Sequence, residues 1–99
     1  MVDSPGKRLK AARILMGLTR GKFATLTGLE YLRLTNVERG NARMYVDDVI
    51  TIANTFPELT DWIIFSKPLD SEAIKKSENQ YMKILFANYE VSGLPEADE

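Results

Sequence analysis

The sequence predicts an all-α protein. Apolar residues recur at helical spacing along most of the chain, residues that start and stop helices punctuate that pattern, and no stretch alternates apolar and polar side chains as a strand would. Ser4-Pro5 opens the first helix, with a hydroxyl able to accept from a free backbone N–H and a proline suited to the first helical position. Leu9, Ala12, Arg13 and Met16 follow at helical spacing, and Gly17 stops the helix. Thr19 caps a second helix over 20–27, with Phe23, Ala24 and Leu26 turned inward. Gly28 suits the left-handed position that ends it. A third helix runs over 31–39, with Leu34 and Val37 inward and Gly40 at its end.

After the loop Asn41-Ala42-Arg43, a fourth helix is expected over 46–55. Its buried stripe is expected to be Val46, Val49, Ile50 and Ala53, with Asp47 and Asp48 complementing the helix dipole at its start. Phe56-Pro57 ends it, and Thr60 caps a short fifth helix in which Trp62 belongs to the core. Lys67-Pro68 breaks the chain, and a last helix is expected over 70–89. Gly93 and Pro95 then lead into an acidic tail, Glu96-Ala97-Asp98-Glu99, expected to fray.

With 99 residues, the chain suits one compact domain and an appended element. It has no cysteine and no histidine, so disulfides, thiolate zinc sites and the usual general base are excluded. No other catalytic constellation stands out, and neither an enzyme nor a cofactor or metal is expected. No apolar run is long enough to span a bilayer, and the first residues lack the apolar stretch of a signal peptide, so a cytoplasmic location is expected.

The net charge of −1 conceals an asymmetry. Residues 1–43 hold nine Lys and Arg against three acids, and residues 44–99 hold four against eleven. A basic half beside an acidic half is a footprint of a nucleic-acid-facing surface. Lys7, Arg8 and Lys10 fit either phosphate contacts or a solvated helix face.

The most informative stretch is Leu18-Thr19-Arg20-Gly21-Lys22-Phe23-Ala24, then Thr27-Gly28-Leu29, then Leu34, Val37 and Glu38-Arg39-Gly40. It describes two short helices joined by a tight turn, with Ala24 small at their crossing, Leu29 filling the angle, and Leu34 and Val37 anchoring the third helix from beneath. Such a unit leaves the outer face of its second helix free for the major groove. The stretch resembles the lambda-repressor-like, Cro/Xre-type helix-turn-helix family. The likeness continues through Val46, Val49, Ile52 and Ala53 and through Asp61-Trp62-Ile63-Ile64, similar to the family's closing Asp-Trp-Leu-Leu, and covers about residues 5–66. It implies a five-helix domain over 5–66 that binds double-stranded DNA and regulates transcription as a repressor, followed by a separate segment, 67–99.

The resemblance also implies roles for individual residues. Tyr31, Leu32 and Asn36 would face base edges, where an asparagine can pair bidentately with adenine and a leucine can meet a thymine methyl. Arg33 and Thr35 would lie at the margin of that face. Arg20, Asn41 and Arg43 would hold phosphates. Arg13 and Glu38 would form a partly buried ion pair between the first and third helices. Glu30, where a capping serine or threonine is usual, makes a weaker cap, and Gly21 weakens the second helix by roughly 0.5–1 kcal/mol relative to alanine.

The last helix is apolar on much of its girth and has to bury it, either on its own domain or against a second subunit. Readers of this fold commonly bind two-fold sites as dimers, which favours the subunit contact. Ile74, Tyr81, Ile84 and Leu85 would then be dimerisation residues of a homodimer. In the rival reading the chain is a protein-binding module of the antitoxin kind, and the tail helix grips a small partner protein.

Overall fold

A computed structural model describes residues 4–95. The helices run in the order α1 (Pro5–Leu15), α2 (Arg20–Thr27), α3 (Tyr31–Glu38), α4 (Val46–Thr55), a 3₁₀ turn (Pro57–Leu59), α5 (Thr60–Phe65), α6 (Ser71–Lys76) and α7 (Gln80–Ser92). The described residues contain no strand, so the chain is all-α. No helix among them is long and apolar enough to cross a membrane. The acidic tail at 96–99 lies outside the described residues.

Local chemistry sets most of the helix ends. The Ser4 hydroxyl accepts from the Lys7 N–H at 3.3 Å, and the Thr19 hydroxyl accepts from the Lys22 N–H at 3.1 Å. Each satisfies one of the donors that a helix start leaves without an internal partner. Gly28 closes α2 with φ at 85°, a left-handed conformation that side chains disfavour, and its N–H reaches the Ala24 carbonyl at 2.8 Å. Glu30 precedes α3 without making a side-chain cap.

One apolar core joins the helices. Leu9 of α1, Phe23 of α2, Leu34 of α3 and Ile52 of α4 meet Phe56, Leu59 and Ile63. Phe23 stacks on Phe56 with ring centroids 5.7 Å apart, and Tyr81 meets Phe56 edge-on at 6.3 Å. Trp62 is buried and donates from Nε1 to the Arg8 carbonyl at 3.1 Å. α1 approaches α3 so closely that a Cβ at Gly6 would stand 2.1 Å from the Val37 carbonyl oxygen.

Two expectations are corrected here. On α4 the buried residues are Asp48 and Ile52, while Val46 and Ile50 are exposed and Val49 and Ala53 half-buried. The expected stripe has more apolar residues, yet the inward face includes a carboxylate because Arg33 lies opposite it. The tail is two helices, and it packs on the same core. Asp70 caps α6 by accepting from the Glu72 and Ala73 N–H groups, and Asn79 starts α7 by accepting from the Tyr81 N–H at 2.8 Å. Ile74, Met82 and Leu85 are fully buried within the chain, and Tyr81 is half-buried against Phe56. Asn88 donates to the Leu15 carbonyl at 2.7 Å, satisfying an acceptor at the end of α1. Ile74, Tyr81 and Leu85 therefore serve the chain's own core instead of a second subunit; of the four expected dimer contacts only Ile84 is exposed.

Candidate nucleic-acid interface

The candidate site is built on α2, the Gly28 turn and α3. Helix α3 turns Leu34, Val37 and Glu38 into the protein and leaves Tyr31 and Leu32 outward, 53% and 60% exposed. Asn36, one turn beyond Leu32, is half-buried, and its backbone carbonyl accepts from the Asn41 and Ala42 N–H groups at 2.9 and 3.2 Å. Those bonds fold the loop after α3 back on the helix end. Asn41 and Arg43 are exposed on that loop. The structure thus groups Tyr31, Leu32 and Asn36 on α3, with Asn41 and Arg43 beyond its C-terminus.

Beneath this face, Glu38 is a fully buried carboxylate held by two arginines. Arg13 grips it bidentately, Nε to Oε2 at 2.7 Å and Nη2 to Oε1 at 2.9 Å, and gives Nη1 to the Leu18 carbonyl at 2.8 Å. Arg20 adds Nε to Oε1 at 2.9 Å. The cluster ties α1 and the start of α2 to the end of α3, and so fixes the tilt of the exposed helix. Arg20 is engaged in holding Glu38, which sequence reasoning missed. The bond uses one of the five N–H donors of a guanidinium, so its terminal nitrogens remain suited to a second anionic partner.

Two of the expected marginal contacts are redirected inward. Thr35 is buried, with its hydroxyl donating to the Tyr31 carbonyl at 3.0 Å. Arg33 pairs with Asp48 (Nη2 to Oδ2 at 2.6 Å, Nε to Oδ1 at 3.3 Å), donates to the Arg43 carbonyl, and lies 4.9 Å from the centre of the Tyr45 ring. It shapes the loop that carries Arg43. Asp48 also accepts from the Tyr45 N–H at 2.8 Å, which caps α4. Arg8 is not on a solvated face: it is buried, and donates to the Trp62 and Ile63 carbonyls at 2.6–3.1 Å. Cations look alike in a sequence, and only the packing distinguishes Arg8 and Arg33 from surface ones.

The hydrogen bonds from Arg33 hold the Asp48 carboxyl below its ordinary range; burial opposes them, and the Tyr45 N–H adds to them. A carboxyl depressed on folding stabilises above its unfolded value, about 3.9, and that stabilisation is lost as pH falls through the lower folded value. The same pair raises Arg33 from an already high value, so Arg33 stays charged throughout this range. Wild type is therefore expected to exceed Asp48→Asn in stability by about 1 kcal/mol at neutral pH, with the difference closing in acid. Thermal melts of both proteins between about pH 7 and pH 2 check this, and a constant difference would show that the pair contributes nothing.

No protein-family model, curated protein or solved structure matches this chain.

Proposed function

We propose that the chain is a sequence-specific reader of duplex DNA with a helix-turn-helix of the lambda-repressor-like kind over residues 5–66. It enters the major groove with α3 and regulates transcription as a two-fold repressor, by occupying a promoter. The observation that carries the reading is the outward pair Tyr31 and Leu32, with the half-buried Asn36 one turn beyond, on a short helix braced from beneath by Leu34, Val37 and the Arg13–Glu38–Arg20 cluster. An apolar side chain beside an amide suits a thymine methyl next to an adenine edge. Arg20, Asn41 and Arg43 flank these three residues and suit phosphates on either side of the groove. The rival reading, in which the tail grips a partner protein, has less apolar surface to work with, because Ile74, Met82 and Leu85 are buried in the chain's own core and Ile84 and Val91 are the large apolar residues of α6 and α7 left exposed.

Selection of bound duplexes from a random pool, at low and near-physiological salt, tests the reading. A palindrome with half-sites about one helical turn apart is the expected product. Asn36→Ala is expected to relax discrimination at a single position by about 1–3 kcal/mol. Arg43→Ala is expected to weaken binding to every sequence alike and to lower the salt slope by about one. Enrichment of nothing, with binding that vanishes as salt rises, would defeat the proposal.

A further inference from the structure

The loop between α3 and α4 is held by its main chain from both helices. The Asn36 carbonyl accepts from the Asn41 and Ala42 N–H groups. Two residues on, the Arg43 carbonyl accepts from Arg33 Nη2, and the Tyr45 N–H donates to Asp48 Oδ2 at 2.8 Å. Arg33 and Asp48 are themselves joined by two bonds, at 2.6 and 3.3 Å, and the Tyr45 ring lies against the guanidinium. One guanidinium therefore ties α3, the loop and the start of α4 together. Arg43 has its main chain fixed in this way and is nonetheless exposed.

We infer that Arg33 and Asp48 are positioning residues for Arg43: together they hold its main chain where its side chain can meet a DNA phosphate, and neither touches the duplex itself. The inference rests on the DNA-binding reading and deepens it. The two side chains are mostly withdrawn from solvent, 24% and 12% exposed, and their charges match, so the pair adds no net charge toward a polyanion. Its contribution is order. A loop already fixed in the free protein has less freedom to lose on binding, which is worth about three- to tenfold in affinity for each rotamer-rich side chain so prepared. The arrangement uses the guanidinium fork, since Arg33 reaches a carboxylate and a main-chain carbonyl at once. A lysine carries a single ammonium and cannot span the two in the same way. The distinctive consequence is an acid that promotes binding to a polyanion. Coulomb's law alone gives the opposite sign, because removing a carboxylate near the path of the phosphates reduces repulsion.

Fluorescence anisotropy on the full chain tests the inference, with the duplex that wild type enriches from a random pool and a range of salt concentrations. Arg33→Met, Arg33→Lys and Asp48→Asn are each measured with Arg43 present and in an Arg43→Ala background, at a temperature where circular dichroism shows every protein folded. Each is expected to weaken binding about three- to tenfold while Arg43 is present, and less than about twofold once Arg43 is alanine. The salt slope should fall by about one for Arg43→Ala and no further when Arg33→Met is added to it. Binding as tight as wild type in any of the three single variants, or tighter in Asp48→Asn, would overturn the inference. So would a loss from Arg33→Met that persists undiminished in the Arg43→Ala background, which would make Arg33 a phosphate contact in its own right. A wild type that binds no duplex removes the DNA-binding reading and this inference with it, whereas a wild type that binds beside unimpaired variants removes the inference alone.

Discussion

A chain ended at Ser66 is expected to lose cooperative unfolding. The family likeness stops near that residue, and the sequence suggests a separable domain there. The core does not stop there: Ile74, Met82 and Leu85 are all fully buried in it. Burying one such side chain contributes about 1.5–3 kcal/mol, so these residues together contribute about 5–9 kcal/mol. That is comparable with the whole stability of a small domain, about 5–15 kcal/mol. The cut would also remove Tyr81 from Phe56 and Asn88 from the Leu15 carbonyl. Far-ultraviolet circular dichroism with thermal melting checks this on the truncated and full chains. A sharp transition and undiminished helicity per residue in the truncated chain would show that residues 67–99 are dispensable for folding.

Glu38→Ala is expected to be the most damaging single substitution at the candidate interface. The carboxylate is fully buried, and its loss leaves Arg13, itself buried, with no anionic partner and frees Arg20. Removing one member of a buried pair costs about 3–5 kcal/mol. A domain of this size loses about 4–8 °C of melting temperature per kcal/mol, so a drop of tens of degrees is expected. Glu38→Gln should fall between, because an amide oxygen still accepts one donor. Combining Glu38→Ala with Arg13→Met should recover part of the loss by removing the stranded charge. A melting temperature for Glu38→Ala within a few degrees of wild type would show that the cluster does not hold the helices together.

The helix boundaries up to Phe56 are legible because they obey local rules. Ser4-Pro5, Thr19, Gly28 and Phe56 act on their immediate neighbours, and nothing distant overrides them. The inward face of α4 is not legible in that way. A helical period fits Val46, Val49, Ile50 and Ala53 as well as it fits Asp48, Ile52 and Phe56, and counting apolar residues selects the former. The second face is the buried one because Ile52 and Phe56 reach the core shared with Phe23, and the distant Arg33 satisfies the carboxylate that turns inward with them. The break at residues 77–79 could have been found from Ser77 and Asn79, both able to accept local backbone bonds, as each does. In the candidate interface, the inward anchors Leu34 and Val37 and the outward Tyr31 and Leu32 follow from helical spacing alone. The destinations of Arg8, Arg20 and Arg33 do not, since a long cation can reach solvent or a buried acceptor from the same backbone position. One result is that the charge available to a polyanion is smaller than the basic half of the sequence suggests.

The close approach at Gly6 has a meaning for how this protein can change over generations. Alanine is normally preferred to glycine inside a helix by roughly 0.5–1 kcal/mol. A redesign guided by helix preference, or a drift toward it, would place alanine at position 6 and collide with the Val37 carbonyl. The height of α3 above α1 is registered there by main-chain atoms, which are common to all residues. Core side chains can therefore be exchanged over time without moving the exposed helix at this contact, as long as that one position admits no side chain.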